Sequence, residues 1–313
     1  LATSYTWDGT DWALAPAISS SPFPGARFGH ATAYDSVRKK TILFGGWDAV
    51  TGNPLGDTWE FDGTDWKQIA EPPTTPDYST AVTGLKAIAH NAGEFRRVVS
   101  SGKYYQYDTT SMEVEDSPSY DVAVRPTDVA ANQPGRWLPR PSSDPDLYRP
   151  APRGRHTLAY DSARQKIVLF GGSVNAGVSN LAGSVTGIND TWEYTPSTGA
   201  WIKKMDSGVS GSGRPIATIG AVSVYDIQRN KVILFGGENR DFSGLPINND
   251  PLHSWNPDTG LWDTIPMGTY PTFSAWGQAG YDTVRNVTVY YGGGRWVFAG
   301  GSATYTEGTE TWE

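Results

Sequence analysis

The sequence predicts an all-β fold in which many short strands are joined by turns. It contains 36 Gly and 22 Pro among 313 residues, and both residue types interrupt regular structure. Only 19% of the residues are charged, whereas 13 are Trp, and this mix argues against a bundle of amphipathic helices. A motif that recurs four times along the chain supports the same fold class and divides the sequence into units.

Each repeat begins with a predicted strand that ends at Tyr-Asp. A polar turn containing Arg follows, and then an apolar strand that ends in Gly-Gly. The first copy runs from Ala33 through Tyr34-Asp35 and Arg38 to Phe44-Gly45-Gly46. The other copies are marked by their Tyr-Asp pairs, Tyr160-Asp161, Tyr225-Asp226 and Tyr281-Asp282.

Two further strands complete the unit. In the first repeat the third strand contains Trp59, and an Asp62-Gly63 turn leads to a fourth strand that begins at Trp66. One repeat is therefore predicted to be a four-stranded antiparallel meander. Positions 34 and 160 are about twice as far apart as 160 and 225, which indicates a degenerate repeat between them. We place it at Ile88 to Asn91, Phe95 to Gly102 and Tyr105 to Met112.

These segments resemble kelch repeats, and the resemblance covers nearly the whole chain. It implies a β-propeller with one four-stranded blade per repeat. We expect a single domain with five blades, at about 27–70, 82–115, 153–204, 215–266 and 274–313, and a long connection at 115–152. Thr309 to Glu313 match a third strand, and Trp7 to Trp12 match a third-to-fourth turn. We therefore expect residues 4–14 to complete the last blade and close the ring.

Residues 104–137 also resemble small β modules of phage tail-fibre and tailspike proteins. The resemblance depends on a Tyr-x-Tyr-Asp start at Tyr105 and a closing Gly135-Arg136-Trp137. It leaves open a role in a virus particle.

Charge and composition exclude several classes of partner. The net charge is −8 with no basic run, which disfavours nucleic acid and anionic membranes. The longest apolar runs are far shorter than the roughly 20 residues that span a bilayer. The chain has no Cys, so disulfides and Cys nucleophiles are excluded. It begins with Leu, from which we expect a processed or trimmed N-terminus.

The repeated polar and aromatic residues are interpreted as structural. An Asp at the start of a turn accepts hydrogen bonds from nearby backbone N–H groups, so the Tyr-Asp-x-x-Arg turns need no catalytic explanation. Recurring Trp residues are expected to pack blade against blade, at positions 12, 59, 66, 192, 201, 255 and 262. Arg27 and His30, with Arg153 and His156, are expected to form hydrogen bonds between blades.

The residues that do not repeat provide the candidate site. In a meander the loops that follow the Gly-Gly strands lie on one face, where the central channel opens. We expect exposed side chains there to bind a protein loop or a sugar, or else to cap the channel. The candidates are Trp47, Asp48, Glu238, Arg240, Asp241, Arg295 and Trp296. Arg136 and Trp137 form a secondary candidate surface.

No catalytic motif stands out. The four His residues, at 30, 90, 156 and 253, lack the spacing of metal ligands, and no cofactor is expected. Among kelch enzymes, the galactose-oxidase type needs a Cys, and the nitrile-specifier type needs an iron motif that this sequence lacks. An enzyme would have to use carboxylates such as Glu238 and Asp241 on sugars.

Three functions remain as expectations. The first is a non-catalytic binding or assembly module for a protein or carbohydrate ligand, in an extracellular, cell-surface or virion setting. The second is a glycan-active enzyme with its site at the looped mouth of the channel. The third is a structural protein of a filament or phage particle that assembles with itself. Fold analogy does not choose among them.

Overall fold

The computed structural model describes residues 5–7, 10–14, 23–69, 95–97, 104–108, 136–140, 149–174, 187–211, 213–238, 252–266, 275–299 and 302–313. These residues form strands and turns and no helix, which confirms the all-β class. None of them belongs to a helix long and apolar enough to cross a bilayer. The chain divides into two compact units, one of residues 1–69, 150–196 and 203–313, the other of 70–149 and 197–202.

The strands, in chain order, are β1 (Tyr5–Trp7), β2 (Trp12–Leu14), β3 (Arg27–Phe28), β4 (Ala31–Asp35), β5 (Lys40–Phe44), β6 (Trp47–Asp48), β7 (Thr58–Phe61), β8 (Trp66–Ile69), β9 (Phe95–Arg97), β10 (Tyr104–Asp108), β11 (Arg136–Arg140), β12 (Thr157–Asp161), β13 (Lys166–Phe170), β14 (Thr191–Thr195), β15 (Ala200–Met205), β16 (Val222–Asp226), β17 (Lys231–Phe235), β18 (Leu252–Asn256), β19 (Leu261–Ile265), β20 (Gln278–Asp282), β21 (Val287–Tyr291), β22 (Gly294–Ala299), β23 (Ser302–Glu307) and β24 (Thr311–Trp312).

Four antiparallel sheets form the blades of a β-propeller. Blade A has the strand order β4-β5-β7-β8, blade B β12-β13-β14-β15, and blade C β16-β17-β18-β19. Blade D has three strands among the described residues, in the order β20-β21-β24. In each blade the Tyr-Asp strand pairs with the Gly-Gly strand in the same register, as Tyr34 with Thr41 and Tyr225 with Val232 show.

The blades are adjacent in the order A, B, C, D. The first strands contact one another in that sequence, β4 with β12, β12 with β16, and β16 with β20. The degenerate blade predicted at about 82–115, the second in chain order, is not confirmed. Strand β10 of that region pairs with both β9 and β11 in a three-stranded sheet of the second unit. Of that predicted blade, residues 82–94, 98–103 and 109–115 lie outside the described residues.

The predicted closure by residues 4–14 is not found among the described residues. β1 pairs with β2, with Trp7 opposite Trp12, while β24 pairs with β21 of blade D. The physical reason is the cost of loop closure, which rises with the length of chain between two strands. β1 and β2 are only a few residues apart, whereas pairing with blade D would join opposite ends of the chain.

The apolar core lies where blades B and C meet. Trp262 of blade C packs edge-on against Phe170 of blade B, with ring centroids 5.4 Å apart. Trp255 donates a 2.9 Å hydrogen bond from Nε1 to Glu193 of blade B. These contacts confirm that Trp255 and Trp262 pack blade against blade. The other repeated Trp residues with described side chains are buried or half-buried, at 59, 66, 192 and 201.

The Tyr-Asp turns place one residue in the left-handed backbone region. Lys39, Gln165, Asn230 and Asn286 follow the turn Arg and have φ between 52° and 57°. This conformation costs ordinary residues about 1–2 kcal/mol, whereas Asn tolerates it. We therefore expect Lys39→Asn to raise the free energy of unfolding by up to about 1 kcal/mol, as measured by urea denaturation. Asn230→Lys should have the opposite sign, and two changes of the same sign would contradict this explanation.

Candidate functional site

A chain of backbone hydrogen bonds links the four blades where their first strands begin. It joins equivalent residues, which we call the hub residues, Gly29, Arg155, Gly220 and Trp276. Arg155 N–H donates to the Gly29 carbonyl at 2.7 Å, Gly220 N–H to the Arg155 carbonyl at 2.9 Å, and Trp276 N–H to the Gly220 carbonyl at 2.9 Å. All four have φ between 61° and 68°. Glycine adopts this conformation freely, so a side chain at this position is strained.

The two hub residues with long side chains form the centre of an aromatic stack. The Arg155 guanidinium carbon lies 5.2 Å from the ring centroid of Trp47 and 4.9 Å from that of Trp276. A cation held between two indole rings gains cation–π attraction from both. Phe28 extends the stack, with its ring centroid 5.6 Å from that of Trp47. We call Phe28, Trp47, Arg155 and Trp276 the aromatic stack.

Glycine makes this close packing possible. A Cβ at Gly29 would lie 2.6 Å from the Trp47 ring, and one at Gly220 would lie 2.8 Å from the Trp276 ring. Trp47 is buried, Arg155 and Trp276 are half-buried, and Phe28 is exposed. The stack therefore has a buried inner residue, Trp47, and three residues that are half-buried or exposed, Arg155, Trp276 and Phe28.

The predicted loop roots lie beside the hub residues. Trp47 pairs with Phe28 in the β3–β6 ladder. Glu238 exchanges backbone hydrogen bonds with Ile219, the neighbour of Gly220. Gly294, which precedes Arg295 and Trp296, donates to the carbonyl of Ala275 at 2.7 Å. The backbone thus places the starts of three predicted loops beside one row of equivalent positions.

The candidate side chains themselves are placed unequally. Trp47 was expected to be exposed, and it is buried, because Gly29 and Gly154 leave space for its ring. Glu238 is also buried. Asp48 accepts hydrogen bonds from the backbone N–H groups of Thr51 and Val50, which lower the pKa of its carboxyl group. The Asp48 carboxylate therefore stabilises the loop that it begins.

For the remaining candidates, the structure describes either the backbone alone or neither backbone nor side chain. Arg295 and Trp296 lie on β22, opposite Thr306 and Tyr305 of β23. Arg136 and Trp137 lie on β11 of the second unit, opposite Asp108 and Tyr107. Arg240 and Asp241 lie outside the described residues.

Sequence reasoning missed Arg155, Trp276 and Phe28. A signal for the first two was present, because the residue five positions before the repeat Tyr is Gly in blades A and C but Arg or Trp in blades B and D. A departure from glycine at a left-handed position indicates a retained side chain. The sequence alone does not show that positions 155 and 276 lie close together, so this departure from glycine had no evident meaning.

The side chains of the repeated Arg residues bond within blades, whereas the backbone of Arg153 makes the predicted bonds between blades. Its N–H donates to the Leu55 carbonyl of blade A at 3.0 Å, and its carbonyl accepts from Gly46 N–H at 2.8 Å. The Arg27 guanidinium donates two hydrogen bonds to the Asp57 carboxylate, at 2.6 and 2.9 Å. The Arg153 guanidinium donates two to the Asp190 carboxylate, at 2.5 and 2.8 Å. Each carboxylate also accepts an indole N–H, from Trp59 or Trp192. These paired Arg–Asp hydrogen bonds connect the start of the first strand to the start of the third strand, so their role is structural.

The structural interpretation of the Tyr-Asp turns is confirmed. Asp35 Oδ1 accepts hydrogen bonds from Val37 N–H at 3.1 Å and Arg38 N–H at 3.0 Å. Arg38 then forms an ion pair with Glu60 of the third strand. The same turn recurs at Asp161, Asp226 and Asp282. The turn carboxylates are thus engaged by backbone donors in every blade.

Because His156 is buried, we expect the free energy of unfolding to decrease at acidic pH. This burial, followed by the charges of Arg153 and His30, lowers the pKa of His156 to about 3. The unfolded chain binds this proton near pH 6.5, so stability is complete above that pH and falls as the pH drops toward 3. We expect His156→Gln to flatten the dependence of the free energy of unfolding on pH in that window, as measured by denaturant titrations. His30→Gln, at an exposed side chain, should flatten it less, and equal slopes in all three proteins would contradict the prediction.

Within the described part of the chain, no group of three or more His, Cys, Asp or Glu side chains could hold a metal ion. The candidate site consists of the aromatic stack and the loop roots beside it. No protein-family model matches the chain, and no curated protein matches it either, so the site is interpreted from its own geometry.

Proposed function

We propose that this protein is a kelch-type propeller that acts as a non-catalytic binding module, with its ligand site at the half-buried and exposed residues of the aromatic stack. The observation that carries the proposal is the Arg155 guanidinium held between Trp47 and Trp276, beside the exposed ring of Phe28. Two hub residues keep side chains in a conformation that favours glycine, and such strain is typical of functional positions.

The chemistry of the stack favours a protein loop or a carbohydrate as the ligand. Indole faces pack against the apolar faces of sugars and side chains, and Arg is enriched with Trp and Tyr at binding hot spots. The net charge of −8 disfavours nucleic acid. The proposal includes an extracellular, cell-surface or virion setting, with which a chain without Cys is compatible.

The kelch type is supported by what the repeats build. In all four blades the Gly-Gly pair ends the second strand with positive φ at both glycines, from Gly45-Gly46 to Gly292-Gly293. The proposal counts four blades and not five, because the hub hydrogen bonds make A, B, C and D consecutive neighbours. A fifth blade could therefore join the propeller only between D and A.

The test uses glycine, which is native at two hub positions. Arg155→Gly and Trp276→Gly remove a side chain and keep the backbone hydrogen bonds, so both variants should fold. We would compare them with the unmodified protein on a printed array of defined oligosaccharides and against a displayed random-peptide library. If a hit appears, each variant should weaken it by roughly 2 kcal/mol or more, the effect of losing a hot spot.

Gln165→Gly is the matched control, since it makes the same backbone change in an exposed turn away from the hub. It should bind like the unmodified protein. Hub variants that fold and bind equally well would overturn the proposed site. No hit on either collection would overturn the proposed ligand classes.

The glycan-active enzyme finds less support. Glu238, the candidate carboxylate that the structure describes, is buried and pairs through its backbone with Ile219. Turnover of a glycoside panel that is lost in Glu238→Gln would support this alternative.

A further inference from the structure

Each first strand has two faces, and they pack on different blades. One face carries the repeat Tyr and points to the preceding blade, while the other carries the repeat Asp and points to the following blade, because side chains alternate along a strand. In β12 every residue is buried, and in β16 only Ser223 is half-buried. Blades B and C are thus covered on both sides. We call these the Tyr face and the Asp face.

Contacts between neighbouring blades follow one pattern. The Tyr281 hydroxyl of blade D accepts a 3.2 Å hydrogen bond from Gln228 N–H in the turn of blade C. Tyr225 of blade C lies beside Asp161 of blade B, whose charge adds to burial in raising the pKa of the phenol. Tyr160 of blade B lies beside Asp35 of blade A in the same way. Every such Tyr therefore covers the turn of the preceding blade.

The last residue of each second strand adds an aromatic contact to the following blade. Phe44 packs edge-on against His156, with centroids 5.3 Å apart, and Phe235 against Tyr290 at 4.9 Å. Phe170 packs against Trp262 at 5.4 Å. The fourth member of this series is Tyr291 of blade D.

Among the described residues, no blade covers one face of each outer blade. On the Tyr face of blade A, Thr32 is exposed and Tyr34 is 56% exposed. On the Asp face of blade D, Gln278 is exposed and Tyr291 is 57% exposed. The Asp282 side chain is 29% exposed, whereas those of Asp35, Asp161 and Asp226 are at most 5% exposed.

These two open faces match each other in register. Thr157 on the Asp face of blade B bonds Ser223 on the Tyr face of blade C, with oxygens 2.7 Å apart. The equivalent positions on the open faces are Gln278 of blade D and Thr32 of blade A, again a polar pair. The other two junctions place apolar residues there, Ala31 with Leu158 and Val222 with Ala279. Tyr291 would likewise meet His30, as Phe44 meets His156.

We propose that the Tyr face of blade A docks on the Asp face of blade D of a second copy of this chain. The occupant is a second copy because each surface supplies what the other lacks, while no blade within the described part of one chain covers either of them. The contact is heterologous, so it repeats from molecule to molecule and forms closed rings or filaments. This inference does not depend on the aromatic stack being a ligand site.

The test uses the two exposed tyrosines, whose replacement removes no buried side chain. We would measure molar mass by light scattering after size-exclusion chromatography, from low to high micromolar concentration. The unmodified protein should associate more as concentration rises. Tyr34→Ala and Tyr291→Ala should each be monomeric, and Leu261→Ala, an exposed apolar change on the outer strand of blade C, should associate normally.

Mixing the two tyrosine variants gives the decisive measurement. Each retains the surface that the other has lost, so an equal mixture should form a dimer of one copy each and grow no further. A monomeric unmodified protein, a single variant that still assembles, or a mixture that stays monomeric would each overturn the proposal. The first result would indicate that the faces close on each other within one chain or meet another blade.

Discussion

Replacing Arg153 with Met should lower the free energy of unfolding by about 3–5 kcal/mol, the usual cost of breaking a buried ion pair. The Arg153 side chain is 1% exposed and the Asp190 side chain 9% exposed. The guanidinium donates two hydrogen bonds to Asp190 and others to the carbonyls of Ala151 and Gly171. Met fills much of the volume but leaves a buried carboxylate without its counter-charge. Guanidinium denaturation monitored by Trp fluorescence measures the loss.

Arg27→Met in blade A is the matched control. Arg27 makes the same paired hydrogen bonds to Asp57, but that carboxylate is 19% exposed and retains contact with water. The cost should therefore be smaller, about 1–3 kcal/mol, that of leaving a polar group unsatisfied. If Arg27→Met costs as much as Arg153→Met, burial of the carboxylate does not determine the effect.

The local structure of the blades was predictable from sequence because it depends on short-range chemistry. The turn Asp accepts hydrogen bonds from backbone N–H groups two or three residues further along the chain, and the ladders on either side follow from alternation. Asp35 and Asp226 lie in different blades and make the same turn. Such features need only a few neighbouring residues, all of which the sequence displays.

The order of the blades was not predictable in the same way. The repeat spacing indicated a blade between A and B, yet β4 contacts β12 directly. Which strands meet across a long stretch of chain depends on tertiary contacts that a repeat motif does not contain. The β1–β2 hairpin, in place of the predicted fourth strand of blade D, reflects the short stretch of chain between these two strands.

The candidate site stays a prediction, and the residues of the aromatic stack other than Trp47 were missed. The loop roots do lie beside one row of equivalent residues, as Trp47 beside Phe28 and Gly294 beside Ala275 show. The residue at the centre of the stack is Arg155, which the sequence analysis did not consider. Its role depends on Trp276, more than a hundred residues away, and on glycines that let both rings approach.

Replacing Trp262 with Ala should cost about 3–5 kcal/mol, the range for truncating a buried Trp. Its side chain is almost completely buried, with Trp255 at 5.2 Å and Phe170 at 5.4 Å between ring centroids. Its Nε1 donates a 2.9 Å hydrogen bond to Thr191 of blade B, so truncation also leaves a buried hydroxyl with one partner fewer. The loss is measured by thermal and denaturant unfolding.

Trp66→Ala is the comparison that identifies the cause. Trp66 has the same repeat position in blade A, packs on Phe61 of its own blade at 5.1 Å, and is half-buried. Blade A shows an exposed face where a preceding blade would lie, and Trp262 owes its burial to such a blade. Trp66→Ala should therefore cost clearly less than Trp262→Ala. Equal losses would show that the repeated Trp residues stabilise each blade from within, and that packing between blades contributes little to their effect.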